Sequence, residues 1–172
     1  MNIIKIKDLL KIPKNYTGIA ERPDGTKYWY KDGELHREDG PAVEYLNGTK
    51  YWYKNNYRHR EDGPAVEYSD GEKRWYKNGL FHREDGPAIE YLSGTKQWFK
   101  NGKRHRLDGP AIEYSDESSL WFFEDQEYEQ LNLNDYVILD SYQGRYGLLW
   151  YKLLSKDKII EYPDIPGLII KE

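Results

Sequence analysis

Short runs in which apolar and polar side chains alternate with period two recur along most of the chain, each closed by a turn dipeptide. Thr49-Lys50-Tyr51-Trp52-Tyr53 and Ala65-Val66-Glu67-Tyr68 show this best; rich in β-branched and aromatic residues, they predict half-buried strands. On one side the runs are joined by Asp32-Gly33, Asn55-Asn56, Asn78-Gly79 and Asn101-Gly102, on the other by Asn47-Gly48, Asp70-Gly71 and Ser93-Gly94. Asn, Asp and Gly reach the positive φ that tight hairpin turns require. The pattern predicts an antiparallel meander.

The pattern repeats every 23 residues. His36-Arg37-Glu38-Asp39-Gly40-Pro41-Ala42 returns from His59, His82 and His105, and all four histidines lie in this phrase. A fixed period marks a repeat architecture whose units bury their apolar faces against their neighbours. Alternation places Trp52 on one face with Lys50 and Lys54, and Tyr51 with Tyr53 on the other. Equivalent residues should stand two strands apart, roughly 9.6 Å, so Trp29, Trp52, Trp75, Trp98 and Trp121 are expected to form a structural ladder.

The ends break the period. Asn2 to Ile12 places apolar residues at 3, 6, 9 and 10, with Asn2 as N-cap and Pro13 as stop, and predicts a short amphipathic helix covering the first sheet edge. The fifth unit keeps Trp121 but loses its turn glycine at Asp116-Glu117, and an acidic linker is expected from Glu124. Beyond it, 136–140, 147–154 and 158–162 read as strands, the middle one open to a helical reading; Pro163, Pro166 and Gly167 then precede an apolar Leu168-Ile169-Ile170. The chain thus divides into an N-terminal helical cap (1–15), a repeat array (16–122) and a β-rich C-terminal element (123–172), where a homodimer contact is a candidate. The expected class is all-β, an elongated meander of hairpin repeats.

Composition sharpens this picture. Only 38% of the 172 residues are hydrophobic, yet there are 17 tyrosines and 6 tryptophans, so burial must come from rings with polar handles and the low hydropathy does not signal disorder. Cysteine is absent, which removes disulfides and cysteine zinc sites and fits a reducing, cytoplasmic setting. No leader-type apolar run and no stretch near 20 apolar residues occurs, so neither a signal peptide nor membrane insertion is expected. The net charge of −4 is uneven: residues 1–16 carry +3 and residues 123–172 carry −5.

The repeated His and Asp invite a metal reading. However, ligands of one ion must converge within ~2.0–2.2 Å of it, whereas equivalent histidines stand roughly 10 Å apart. The expectation is therefore structural: Asp39, Asp62, Asp85 and Asp108 accept backbone N–H groups in the Asp-Gly-Pro turn, and His36, His59, His82 and His105 hydrogen-bond across the hairpin. No cofactor and no catalytic set is expected, since a catalytic set is seldom repeated four times. Aromatics beside Lys and Arg could suit nucleic acid, but the net charge, a pI near 5.7 and a carboxylate beside nearly every cation argue against it. A protein partner is the leading expectation, with Tyr30, Tyr53, Tyr76, Phe99, Arg37, Arg60, Arg83 and Arg106 as exposed rows able to bind it. A passive spacer is the counter-reading.

The pattern Trp-x-x-Asn-Gly-x-x-His-x-x-Asp-Gly, followed by an extended segment and a second turn glycine, resembles the MORN repeat, whose unit is also a 23-residue hairpin. It is closer still to a variant carrying the His-Arg-x-Asp-Gly-Pro-Ala phrase, which recurs in uncharacterised proteins of bacteria, phages and giant viruses. The resemblance covers residues 16–122 and departs from the usual pattern at Pro41, Pro64, Pro87 and Pro110. It implies a β-meander and a small phage or mobile-element protein that inhibits a bacterial, defence-type protein in the host cytoplasm. A bacterial antitoxin or scaffold is the alternative, and nucleic-acid or phospholipid-headgroup binding a further one.

Overall fold

The computed structural model describes residues 2–6 and 12–128, and the backbone of three further strands, Val137–Gln143, Leu149–Ser155 and Lys158–Pro163. Among the described residues there is no helix, and a single sheet of 13 strands runs through the repeats with its strands in near chain order. Each middle unit gives it two antiparallel strands of two residues: Val43–Glu44 pairs with Lys50–Tyr51, Val66–Glu67 with Lys73–Arg74, and Ile89–Glu90 with Lys96–Gln97. The next unit is added through the same register, Lys50 opposite Glu67 and Tyr51 opposite Val66.

The expected N-terminal helix is corrected. Ile3–Lys5 is a strand, paired in parallel with Gly18–Glu21, and Ile6 N–H donates to Glu21 O at 2.9 Å. Residues 7–11 of the expected helix lie outside the described residues. Pairing wins here because the sheet edge offers backbone partners that a short helix cannot use, and short isolated helices are marginal. Of the expected apolar positions Ile6 points inward, packing together with Ile4 against Ala20, Tyr28 and Val43, whereas strand alternation turns Ile3 to solvent.

A second difference is internal to the units of Trp52, Trp75 and Trp98. The five-residue strand expected over Thr49 to Tyr53 breaks at Trp52 into Lys50–Tyr51, which stays in the long sheet, and Tyr53–Lys54, which pairs only with Tyr57–Arg58. Tyr76–Lys77 with Leu80–Phe81 and Phe99–Lys100 with Lys103–Arg104 repeat this two-stranded ribbon. At the break Trp52 N–H donates to Ala65 O at 2.8 Å and Trp52 O accepts from His59 N–H at 3.1 Å, so the backbone stays satisfied while the chain changes sheets. Each ribbon joins the next by sparse bonds such as Gly79 N–H to Arg58 O at 2.9 Å.

The hairpin turns follow their dipeptides. Asn78 and Gly79 have φ of 51° and 83°, positive at both central positions, and Asn55 and Asn56 reach 50° and 65° without a glycine. Glu124 and Asp125, expected to open an acidic linker, form the same turn at 51° and 67°, between Ser119–Phe123 and Gln126–Tyr128.

In the long sheet, one face carries Lys27, Glu44, Lys50, Glu67, Lys73, Glu90, Lys96 and Glu113 in register, an alternating ladder of opposite charge. The other carries the core: Val43, Val66, Ile89 and Ile112 are buried, and between them stand Tyr51, Arg74 and Gln97. Ala42, Ala65, Ala88 and Ala111 are wholly buried. The C-terminal strands form a separate three-stranded antiparallel sheet with an irregularity between Ile138 and Asp140, so the middle run is a strand. The expected apolar stretch at 168–170 lies outside the described residues, as do the side chains on which the homodimer expectation rests.

Candidate functional site

The repeated phrase builds the same corner four times, and its centre is arginine. The Cζ atoms of Arg37, Arg60, Arg83 and Arg106 lie 4.0 to 4.2 Å from the ring centroids of Trp29, Trp52, Trp75 and Trp98. Arg83 Nε donates to Asp85 Oδ1 at 2.9 Å; Nη1 donates to Pro87 O at 3.2 Å and to Glu90 Oε1 at 2.9 Å. The other three copies have the same partners, with Asp39, Asp62 and Asp108 on Nε and Glu44, Glu67 and Glu113 on Nη1. Stacking over tryptophan contributes about 0.5–2 kcal/mol, rising with desolvation, whereas the ion pair to the largely exposed aspartate adds little.

This geometry refines one expectation and corrects another. The aspartates face the arginine two residues earlier, and that arginine first, with the residue's own backbone N–H beside it, holds the Asp39, Asp62 and Asp85 carboxyls below the usual carboxylate range. The four arginines are no exposed row: their side chains are about one-fifth exposed and committed to ring, carboxylate and carbonyl. The aromatic row is packed as well, Tyr76 buried and Tyr30, Tyr53 and Phe99 half-buried, with the Phe81 ring 4.3 Å from Tyr76 and 5.2 Å from Phe99.

The histidines bond between units. Nδ1 of His59 lies 2.9 Å from the Asn78 side-chain amide oxygen and accepts the Asn78 backbone N–H at 3.1 Å, and its Nε2 lies 2.8 Å from Glu61 Oε1. His36 and His82 meet Asn55 and Asn101 in the same way. In the fourth copy Leu107 replaces the glutamate, and burial, together with Lys100, pushes the His105 imidazole below its ordinary pKa against the opposing pull of Glu124 and Glu84. Trp121 stands in an unbroken strand opposite Tyr128, and no arginine follows it to complete a corner. Among the described residues no three His, Asp or Glu are grouped to hold a metal ion.

Between corners the surface opens into clefts. One of about 630 Å³ is lined by His36, Asp39, Trp52, Lys54 and Glu61 among others, and one of about 650 Å³ repeats it a unit further on. Behind the ribbons, tyrosines and arginines line a second surface. Tyr51 is pushed up to about 12 by burial first and by Tyr68 and Tyr45 beside it, and its ring lies 5.6 Å from Arg58 and 6.0 Å from Tyr68. Arg74 stacks 5.0 Å from the Tyr68 ring and pairs with Glu72. The sequence reading missed Arg58, Arg74 and Arg104 because they do not recur in every unit; Glu44, Glu67, Glu90 and Glu113 do recur and could have been found.

These features define an all-β hairpin-repeat protein with a Trp–Arg corner in four successive units. Compared with known proteins, the chain matches no family model and no curated relative. Among the described residues no helix is long and apolar enough to cross a membrane.

Proposed function

We propose that this chain is a non-catalytic protein-binding repeat module. The observation that carries the reading is the placement of large apolar side chains in solvent at repeat positions: Leu46 and Leu92, 82% and 70% exposed, at the same turn position two units apart, and Tyr57 and Leu80, 61% and 51% exposed, at the same ribbon position in adjacent units. Large apolar side chains held in solvent along a frame mark an interaction surface, and tyrosine is enriched among interface hot spots. The frame keeps its own polar groups busy in the Trp–Arg corners, which leaves these rows to a partner. That the partner is a bacterial, defence-type protein and the chain a phage or mobile-element inhibitor, with a bacterial antitoxin or scaffold as the alternative, rests on the MORN-like phrase alone.

Affinity capture from bacterial lysate with the full chain tests the reading, run beside a Leu46→Glu/Leu92→Glu variant and a Tyr57→Glu/Leu80→Glu variant. At least one pair should lose a stoichiometric partner that the native chain retains. Recovery of no protein by the native chain would sink it.

A further inference from the structure

Two places in the array share one constellation 46 residues apart. Arg104 stands over the Phe122 ring, its Cζ 3.9 Å from the centroid, and both its backbone N–H and its Nε donate to Asp125 Oδ1 at 3.0 Å. Two units earlier, Arg58 occupies the position of Arg104, Tyr76 that of Phe122, and Gly79 that of Asp125. The arginine and ring are kept there and the carboxylate is not. Arg58 lies 5.3 Å from the Tyr76 ring and 5.6 Å from the Tyr51 ring, and its Nη1 donates to the Tyr76 hydroxyl at 3.3 Å. Among the described residues no carboxylate reaches it within ion-pair distance, whereas Arg22, Arg74, Arg104 and all four corner arginines have one.

A half-buried guanidinium held by hydroxyls and ring faces keeps its charge with donors to spare, since five N–H groups are available and a carboxylate takes two in a fork. The chain itself shows, at Arg104, what this position accepts. We propose that Arg58 anchors an acidic side chain of a protein partner, the aspartate or glutamate taking the place that Asp125 fills for Arg104. This rests on the protein-binding reading and names the chemistry of the partner. A polyphosphate occupant is disfavoured because the chain is acidic overall and its other arginines of this kind are already neutralised. Tyr57, exposed beside Gly79, would flank the bound carboxylate with an aromatic wall.

The test uses the full chain and three capped probes, hexaglutamate, hexaglutamine and a dT12 oligonucleotide, with the arginine Nε–Hε resonances followed by NMR at low salt. Hexaglutamate should shift the Arg58 signal saturably while the Arg104 signal stays in place, and hexaglutamine should leave both unmoved. Arg58→Gln should weaken hexaglutamate binding at least tenfold, while Lys54→Gln, which removes an exposed charge nearby, should change it less than twofold. Gly79→Asp installs the carboxylate in cis and should abolish binding, with Gly79→Asn retaining it; this pair keeps the test decisive if Arg58→Gln unfolds. Native-like binding by Gly79→Asp or by a folded Arg58→Gln, or tighter binding of dT12 than of hexaglutamate, would overturn the proposal. A lysate partner captured equally by native and Arg58→Gln chains would remove this anchor and leave the protein-binding reading standing.

Discussion

The Arg83 guanidinium carbon lies 4.0 Å above the Trp75 ring, and the backbone of Gly86 closes on the same group so tightly that a Cβ there would sit 2.9 Å from it. The glycine of the repeated phrase is therefore a contact requirement of the arginine.

Gly86→Ala should cost roughly 1–3 kcal/mol, as overpacking does in a filled interior, because the neighbour is a guanidinium held in place by three further partners. Urea unfolding of the full chain measures it. The double variant Gly86→Ala/Arg83→Ala should show less than the sum of the two single losses, since the clash goes with the arginine; strict additivity would refute the contact.

Glu117 holds φ of +70° at the turn position that Gly48, Gly71 and Gly94 fill in earlier units. The left-handed region costs an ordinary residue roughly 1–2 kcal/mol, so Glu117→Gly should stabilise the fifth hairpin by about 1 kcal/mol after the added freedom of the unfolded chain is counted. A lower unfolding midpoint for the variant would be the contrary result.

Ile89 is buried in the sheet at 4% exposure, and Leu92, three residues on, is in solvent. Ile89→Ala should lose about 2–5 kcal/mol and Leu92→Ala less than ~0.5 kcal/mol in the same denaturation experiment. Equal losses would mean that the turn row is packed.

The Asp39, Asp62 and Asp85 carboxyls are lowered in the folded chain by the arginines that bond them. A carboxyl lowered on folding adds stability that is present above its unfolded pKa, near 3.9, and is lost as pH falls through the folded value. The contribution of these carboxyls should therefore be level between pH 7 and about 5 and decline below about pH 4, while His105, lowered by burial, adds a separate loss that begins as pH falls below its ordinary value near 6.5. Asp85→Asn should make that decline shallower, measured as urea midpoints from pH 7 to 3, and salt should shrink the difference. A decline of unchanged slope in the variant would exclude Asp85 from the linkage.

Much of the fold was legible because its causes are local. Asn78-Gly79 and Asn101-Gly102 dictate their turns through backbone sterics, and alternation around Val66 and Ile89 dictates which face is buried, without reference to the rest of the chain. The same logic failed at the N-terminus, where the apolar spacing of Ile3, Ile6 and Leu9 fits a helix but an open edge strand at Gly18–Glu21 offered backbone partners. It also misread the corner. Arg37, Arg60, Arg83 and Arg106 look like a solvent-facing row in a list of residues, and nothing in their own neighbourhood announces a tryptophan eight residues back.

By itself, then, the sequence determined the 23-residue period and the turns, which follow from contacts within a few residues, whereas the expected burial by rings gives way to a core built mostly of Ala, Val and Ile. Only the tertiary structure decided that the chain changes sheets at Trp52, Trp75 and Trp98, that the corner arginines are consumed internally, and that Arg58 lacks the carboxylate Arg104 has. The corner is set by how the chain folds back within one unit, whereas the Arg58 and Arg104 outcomes depend on which unit supplies the facing group, as with Asp125 for Arg104 across 21 residues, and a local pattern holds no information about a partner one repeat away.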